Sequence, residues 1–252
     1  MACSEEPSIG NESGACQLRR AAEVYDRLLA RLLLGRCENC GEPAAGSLCQ
    51  PCGAALRPVL DPCPGCGLGR PIKRCPRLAE AWSVSTIMAP LRYEYPLDRY
   101  IHALKFLSDR RMGRALGLLL ADHLATNGAD ASVSALVPVP LHRRRLLQRG
   151  FNQAFEIARP IASRTNLPLL VAGIHRRVST QPQTLINAHK RNANVRGVFQ
   201  VRRRLDGLTI AIIDDVITTG ATVNSLARAL RGAGATDVHA WAVARAPPSA
   251  NG

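Results

Sequence analysis

The sequence predicts an α/β domain with a mostly parallel sheet and helices on both faces, preceded by a small Cys-rich module. Three observations carry this. From Trp82 to Arg245, apolar runs of strand length alternate with stretches whose apolar residues recur at helical spacing. The run 208–213 is continuously apolar and ends in two adjacent carboxylates, after which a Thr- and Gly-rich turn opens a helix. Of the 9 Cys, those from Cys37 to Cys75 crowd one short stretch, and none follows it.

The elements follow in order. Residues 1–35 form a polar N-terminus and a short amphipathic helix, in which Leu18, Ala21, Ala22, Tyr25, Leu28, Leu29, Leu32 and Leu33 recur at helical spacing before Gly35 stops it. Residues 36–79 are rich in Gly, Pro and Cys, with few large apolar side chains. Such a stretch cannot bury a core and needs a staple. Residues 80–246 make the α/β domain. Its expected strands are 82–89, 136–140, 169–174, 198–201, 208–213 and 238–244. Its expected helices are 97–106, 111–124, 151–164 and 222–232, the last closed by Gly232 and Gly234. Tyr95-Pro96 marks a turn, and the polar stretch 180–195, with Pro182, is expected as a loop or frayed helix.

Hydrophobic residues make up 46% of the 252, enough for a core, but aromatics are only 4%, so that core rests on Leu, Ala, Val and Ile. Few exposed aromatics are expected. Residues 1–15 carry Glu5, Glu6 and Glu12 where a secretory signal would carry Lys or Arg, and the apolar stretch 28–34 is short and interrupted by Arg31. A soluble cytoplasmic protein with no membrane span is therefore expected. The net charge is +14, which attracts polyanions such as nucleic acid or phosphorylated metabolites, although an Arg-rich composition alone also produces it.

Cys37-Glu38-Asn39-Cys40-Gly41 and Cys49-Gln50-Pro51-Cys52-Gly53 are paired CxxCG knuckles. Each sets two sulfurs on one tight turn, and two knuckles complete a four-thiolate tetrahedron suited to structural Zn2+. The ligands predicted are Cys37, Cys40, Cys49 and Cys52. A third knuckle, Cys63-Pro64-Gly65-Cys66-Gly67, has only Cys75 as a partner, with Leu78 where a further Cys would fall. Whether Cys63, Cys66 and Cys75 bind a second metal is left open by their spacing.

Asp214 and Asp215 end the apolar run at the side of the sheet where α/β ligands bind. A capped turn accounts for the carboxylates but not for Thr218-Thr219-Gly220-Ala221-Thr222, which places hydroxyls and a Gly before a helix. Backbone N–H groups at a helix N-terminus, with Thr hydroxyls added, make an anion cradle, and Gly lets the backbone approach a phosphate. The carboxylates then lie beside sugar hydroxyls, as acceptors or through a hydrated metal ion. Neither GxxxxGK nor GxGxxG is present here. Arg143, Arg144, Arg145 and Arg149 follow the strand 136–140. They suit a solvated face as well as pyrophosphate or nucleic acid.

The run Ile212-Ile213-Asp214-Asp215-Val216-Ile217-Thr218-Thr219-Gly220-Ala221-Thr222 resembles the PRPP loop of type I phosphoribosyltransferases. Val137-Pro138-Val139-Pro140-Leu141, Arg149-Gly150-Phe151-Asn152-Gln153, Leu104-Lys105-Phe106 and the stretch 183–199 narrow the resemblance to the ComF family, which includes the GntX proteins. The Cys module ahead of the domain is a feature of that family too. The resemblance implies a type I phosphoribosyltransferase-like domain behind a zinc ribbon. It implies that Asp214 and Asp215 hold ribose, and that Thr218, Thr219, Gly220, Ala221 and Thr222 hold the 5′-phosphate. Mg2+ goes with PRPP, and Lys105, Arg144 and Arg149 stand on the pyrophosphate side.

It further implies a role in natural transformation: a protein that binds PRPP or a related phosphosugar and acts in DNA uptake or nucleotide handling. As an enzyme it would be a phosphoribosyltransferase. The alternative is a non-catalytic module that senses a nucleotide or binds single-stranded DNA, with a DNA-uptake helicase as a further partner.

Overall fold

The computed structural model describes residues 35–72, 75, 82–129, 131–177 and 197–247. The helix expected within 18–34 and the stretch 180–195 lie outside them. The chain divides into two compact units, 1–49 and 50–252. In the first, β1 (Gly35–Arg36) pairs antiparallel with β2 (Pro43–Ala44). The second holds, in chain order, α1 (Gln50–Ala54), β3 (Ile87–Met88), β4 (Leu91–Arg92), α2 (Leu97–Phe106), α3 (Arg110–Thr126), β5 (Ala135–Pro138), α4 (Arg143–Arg149) and α5 (Gln153–Thr165). It continues with β6 (Ile174–Arg176), β7 (Phe199–Val201), β8 (Thr209–Ile217), α6 (Ala221–Gly232) and β9 (Asp237–Arg245).

The main sheet has the order β3-β9-β8-β5, with β4 also on β9, and every pairing is parallel. β8 is flanked by strands on both edges and covered by helices, so its apolar run is buried on both faces, as in a parallel sheet. Successive side chains alternate between the two faces. Ile210 and Ile212 of β8 and Val238, Ala240 and Ala242 of β9 join Val223, Leu226, Ala227 and Leu230 of α6 in one core. Ala211, Ile213, Trp241 and Val243 point the other way and are equally buried. α5 packs against β5 and β8, and α3 against β9 and α5. Gly117 of α3 lies directly on the backbone carbonyl of Ile157 and the ring of Pro160 in α5; a Cβ there would overlap both.

Two expectations are revised, and one helix is added. Of the strand expected at 82–89 only Ile87–Met88 is a regular strand; Ser85 N–H and Thr86 O still bond β9, but the Ser83 N–H turns to Asn224 Oδ1 at 2.6 Å. The strand expected at 169–174 touches the sheet at Leu169 alone, through a bridge to Leu136. Gly173, at φ 81°, then turns the chain, and β6 pairs antiparallel with β7 in a separate ribbon. The basic segment after β5 is a helix, α4, capped by His142 Nδ1 accepting from the Arg144 N–H and closed by Gly150 in the left-handed region. Other boundaries shift by a few residues. α5 starts at Gln153, for instance, because Asn152 Oδ1 caps it, accepting from the Ala154 N–H at 3.0 Å. Among the described residues no helix is long and apolar enough to cross a membrane.

Candidate functional site

β8 pairs with β5 only as far as Ile213, opposite Pro138, but with β9 as far as Ile217. Asp214 and Asp215 therefore stand just beyond the end of β5, still inside a strand. They are 8% and 3% exposed. Asp214 Oδ1 accepts the Asp215 N–H at 2.9 Å. Lys105, from the last turn of α2, forms an ion pair with Asp215. Burial pushes the Asp214 carboxyl well above its usual range; the neighbouring Asp215 charge adds to this, and Lys105 offsets only part. Two more cations feel the pair. Burial lowers the guanidinium of Arg149 while Asp215 supports its charge, and burial lowers that of Arg176 while Asp214 supports it.

The chain leaves β8 through Thr218 and Thr219, both exposed, and reaches Gly220 at φ 85°, the N-cap of α6. Thr219 Oγ1 accepts the Ala221 N–H at 3.3 Å, and Gly220 O accepts the Asn224 N–H at 2.9 Å. The first-turn N–H groups of a 12-residue helix thus open beside the carboxylate pair, with two exposed hydroxyls next to them. The indole of Trp82 lies against Gly220 where a Cβ would stand. Arg245, at the end of β9 and 2% exposed, holds the turn from behind. Its Nη1 donates to the carbonyls of Ile217 (2.7 Å), Thr218 and Ala246 (3.0 Å), and its Nε to that of Cys66 (2.7 Å).

The positions singled out in the sequence divide. Asp214, Asp215, Lys105 and Arg149 share one neighbourhood, and Thr218 to Thr222 follow directly on the strand that carries the acids. Arg144 is exposed and lines a shallow depression with His142, Arg143, Leu147 and Gln148. Arg176, Arg245 and Trp82 were missed. Only Arg245 left a trace, as a charged residue closing an apolar strand. Exposed aromatics are few among the described residues, but Tyr95 and Phe106 are among them, at 70% and 66%. Their rings carry the guanidinium groups of Arg99 at 5.8 Å and Arg149 at 5.6 Å, so ring and cation shield each other on the surface.

The thiols of Cys37, Cys40, Cys49 and Cys52 converge, with ligand atoms within 4.8 Å of one another. Cys40 and Cys49 sulfurs are 3.6 Å apart, close to the ~3.8 Å edge of a tetrahedron with ~2.3 Å metal–sulfur bonds. Burial opposes ionisation of Cys37, but the backbone N–H groups of Cys49, Cys40 and Asn39 outweigh it and bring the thiol down to about 6. Cys63, Cys66 and Cys75 form a second group that could hold a metal ion. Two of the three CxxCG turns close alike, Gly41 N–H to Cys37 O at 2.9 Å and Gly67 N–H to Cys63 O at 2.8 Å, both glycines at positive φ, whereas the turn at Cys49 runs into α1.

Residues 152–250 match the family model described as the phosphoribosyl transferase domain. DNA utilization protein YhgH of Escherichia coli (strain K12) is 32% identical over 84% of this chain and 97% of its own length. Competence protein F of Haemophilus influenzae is 29% identical over 84% of this chain and 91% of its own. Competence protein ComFC of Bacillus subtilis is 26% identical over 73% and 77% respectively.

Proposed function

Since the chain belongs to the ComF family, we propose that its α/β domain binds PRPP or a related phosphosugar and that the protein acts in DNA uptake or nucleotide handling. The observation that carries this is the buried Asp214–Asp215 pair just past the end of β5, followed directly by the Gly220-capped helix. In this reading the acids accept the ribose hydroxyls. The N–H groups and hydroxyls of Thr218, Thr219, Gly220, Ala221 and Thr222 take the 5′-phosphate. Lys105, Arg144 and Arg149 stand toward the pyrophosphate. Mg2+, when bound with PRPP, neutralises charge on the leaving pyrophosphate.

The residues' own part is to orient and to hold protons. Burial and the neighbouring Asp215 charge push the Asp214 carboxyl up, so it holds its proton more readily than a free carboxyl does, while Asp215 is ion-paired with Lys105. Arg245 fixes the turn's carbonyls, which keeps its N–H groups facing outward. Cys37, Cys40, Cys49 and Cys52 hold a structural Zn2+; four thiolates close its sphere and leave no open position for chemistry.

Thermal-shift titration with PRPP and Mg2+ tests the reading. A ligand at a hundredfold excess over Kd stabilises the fold by about 2.7 kcal/mol. No shift with wild type would remove PRPP as the ligand. A turnover assay with pyrophosphate release then separates an enzyme from a sensing module.

A further inference from the structure

We propose that the solvent face of α2, with the turn before it, is a stacking track for the bases of single-stranded DNA, running toward the Asp214–Asp215 site; this rests on the reading that the protein acts on DNA. Tyr95, Arg99, His102 and Phe106 are all exposed and are spaced four, three and four residues apart, which sets them in one stripe. Leu97, Tyr100, Ile101 and Leu104 occupy the opposite, buried face, so the core does not require the stripe to be aromatic. Within the stripe, neighbouring side chains meet in two groups. The Arg99 guanidinium lies 5.8 Å from the Tyr95 ring centroid, the His102 and Phe106 rings are 4.8 Å apart, and Arg149 lies 5.6 Å from Phe106. From Leu97 to Phe106 the helix rises about 14 Å at 1.5 Å per residue, and Tyr95 extends the stripe beyond its start. That is the length of several stacked nucleotides at ~3.4 Å each.

Flat rings with a cation beside each are what a single strand needs, because every base offers a π face and every nucleotide a phosphate. A duplex hides the base faces and would use the cations alone. The flanking charges agree. Glu94 is paired with Arg92 at 3.2 Å, and the Asp98 carboxylate accepts the Arg99 N–H at 2.8 Å. Arg143, Arg144 and Arg145 lie on α4, whose last residue is the Arg149 that covers Phe106. Arg149 also lies in the field of Asp215 and donates to Gln153 Oε1 at 2.6 Å, so one side chain joins the end of the track to the acidic pair.

Fluorescence anisotropy with the full-length protein tests the track. Two labelled oligonucleotides of equal length are compared, one carrying bases and one abasic throughout. The base-bearing strand is expected to bind more tightly. Tyr95→Ala and Phe106→Ala are each expected to weaken it by about fivefold or more, with the abasic strand and the salt slope unchanged and with Phe106→Trp restoring affinity. Circular dichroism and melting confirm that the variants fold, as exposed side chains allow. Equal affinity of the two strands, no binding of either, or wild-type affinity in both alanine variants would overturn the proposal; the stripe would then be open to a protein partner. The PRPP shift is measured alongside in Tyr95→Ala. Base-dependent binding without any PRPP shift in wild type would sink the phosphosugar reading and leave the track standing. A PRPP shift without base-dependent binding would do the reverse.

Discussion

Arg245 and Cys66 are joined by a 2.7 Å hydrogen bond from the guanidinium Nε to the carbonyl oxygen, while Nη1 of the same group holds the carbonyl of Ile217 at 2.7 Å. The third CxxCG knuckle and the entrance to the Thr-rich turn thus hang on one buried side chain. Replacing it by Ala strands several carbonyls, each costing about 1–3 kcal/mol if left unpaired. Arg245→Ala is expected to lose at least about 3 kcal/mol in urea denaturation. It is also expected to bind PRPP more weakly. A variant as stable as wild type would show that the bonds contribute nothing net.

Asp214 governs the response to pH. Its folded-state pKa is raised above the usual 3.8, so the stability it allows is full below that value and is lost as pH rises toward the folded pKa. Without ligand, the melting temperature is expected to fall with pH over that window. Asp214→Asn, which cannot ionise, is expected to flatten the fall and to melt higher than wild type at neutral pH. The same variant is expected to lose the stabilisation by PRPP with Mg2+. A wild-type profile in Asp214→Asn would show that the carboxyl titrates normally.

Elemental analysis is expected to find zinc held by Cys37, Cys40, Cys49 and Cys52. Cys37→Ser is expected to lose it and to melt lower, because the stretch around these knuckles has little apolar core of its own. Full zinc content and unchanged melting in Cys37→Ser would place the metal elsewhere.

Gly220→Ala is expected to be costly for two separable reasons. A left-handed φ costs a non-glycine residue about 1–2 kcal/mol, and the new Cβ meets Trp82. Loss of PRPP binding and a change in Trp82 fluorescence are the readouts, since the new Cβ would meet Trp82 while Trp241 is fully buried in the sheet. Trp82→Ala combined with Gly220→Ala should remove the overlap but keep the backbone strain. If the single variant already melts and binds as wild type, the indole does not rest there.

What could be read in advance followed contiguity. Asp214 to Thr222 put strand end, carboxylates, hydroxyls and helix start into one short run, so this local arrangement was legible without any fold. Lys105 and Arg149 entered through short motifs that resemble a family, not through a physical argument. Arg176, Arg245 and Trp82 escaped because the bonds that give them meaning close loops of many residues, such as Arg245 to Cys66 or Trp82 to Gly220. The strand expected at 169–174 failed at Gly173, where a left-handed turn outweighed the apolar run. The exposure of Phe106 follows from the period of α2, whose buried set is Leu97, Tyr100, Ile101 and Leu104, whereas Tyr95 lies in the turn before the helix, where no period places it.

The contact of Gly117 with the Ile157 carbonyl and Pro160 has a bearing on how variation in relatives is to be read. The spacing of α3 and α5 there is set by two backbones and a proline ring, none of which can yield as a long side chain can. A library randomised at this position and screened only for soluble protein should return glycine, whether or not the screen includes a ligand. Invariance at Gly117 would therefore report helix spacing, whereas invariance at Gly220, which caps an exposed turn, would report what that turn must approach.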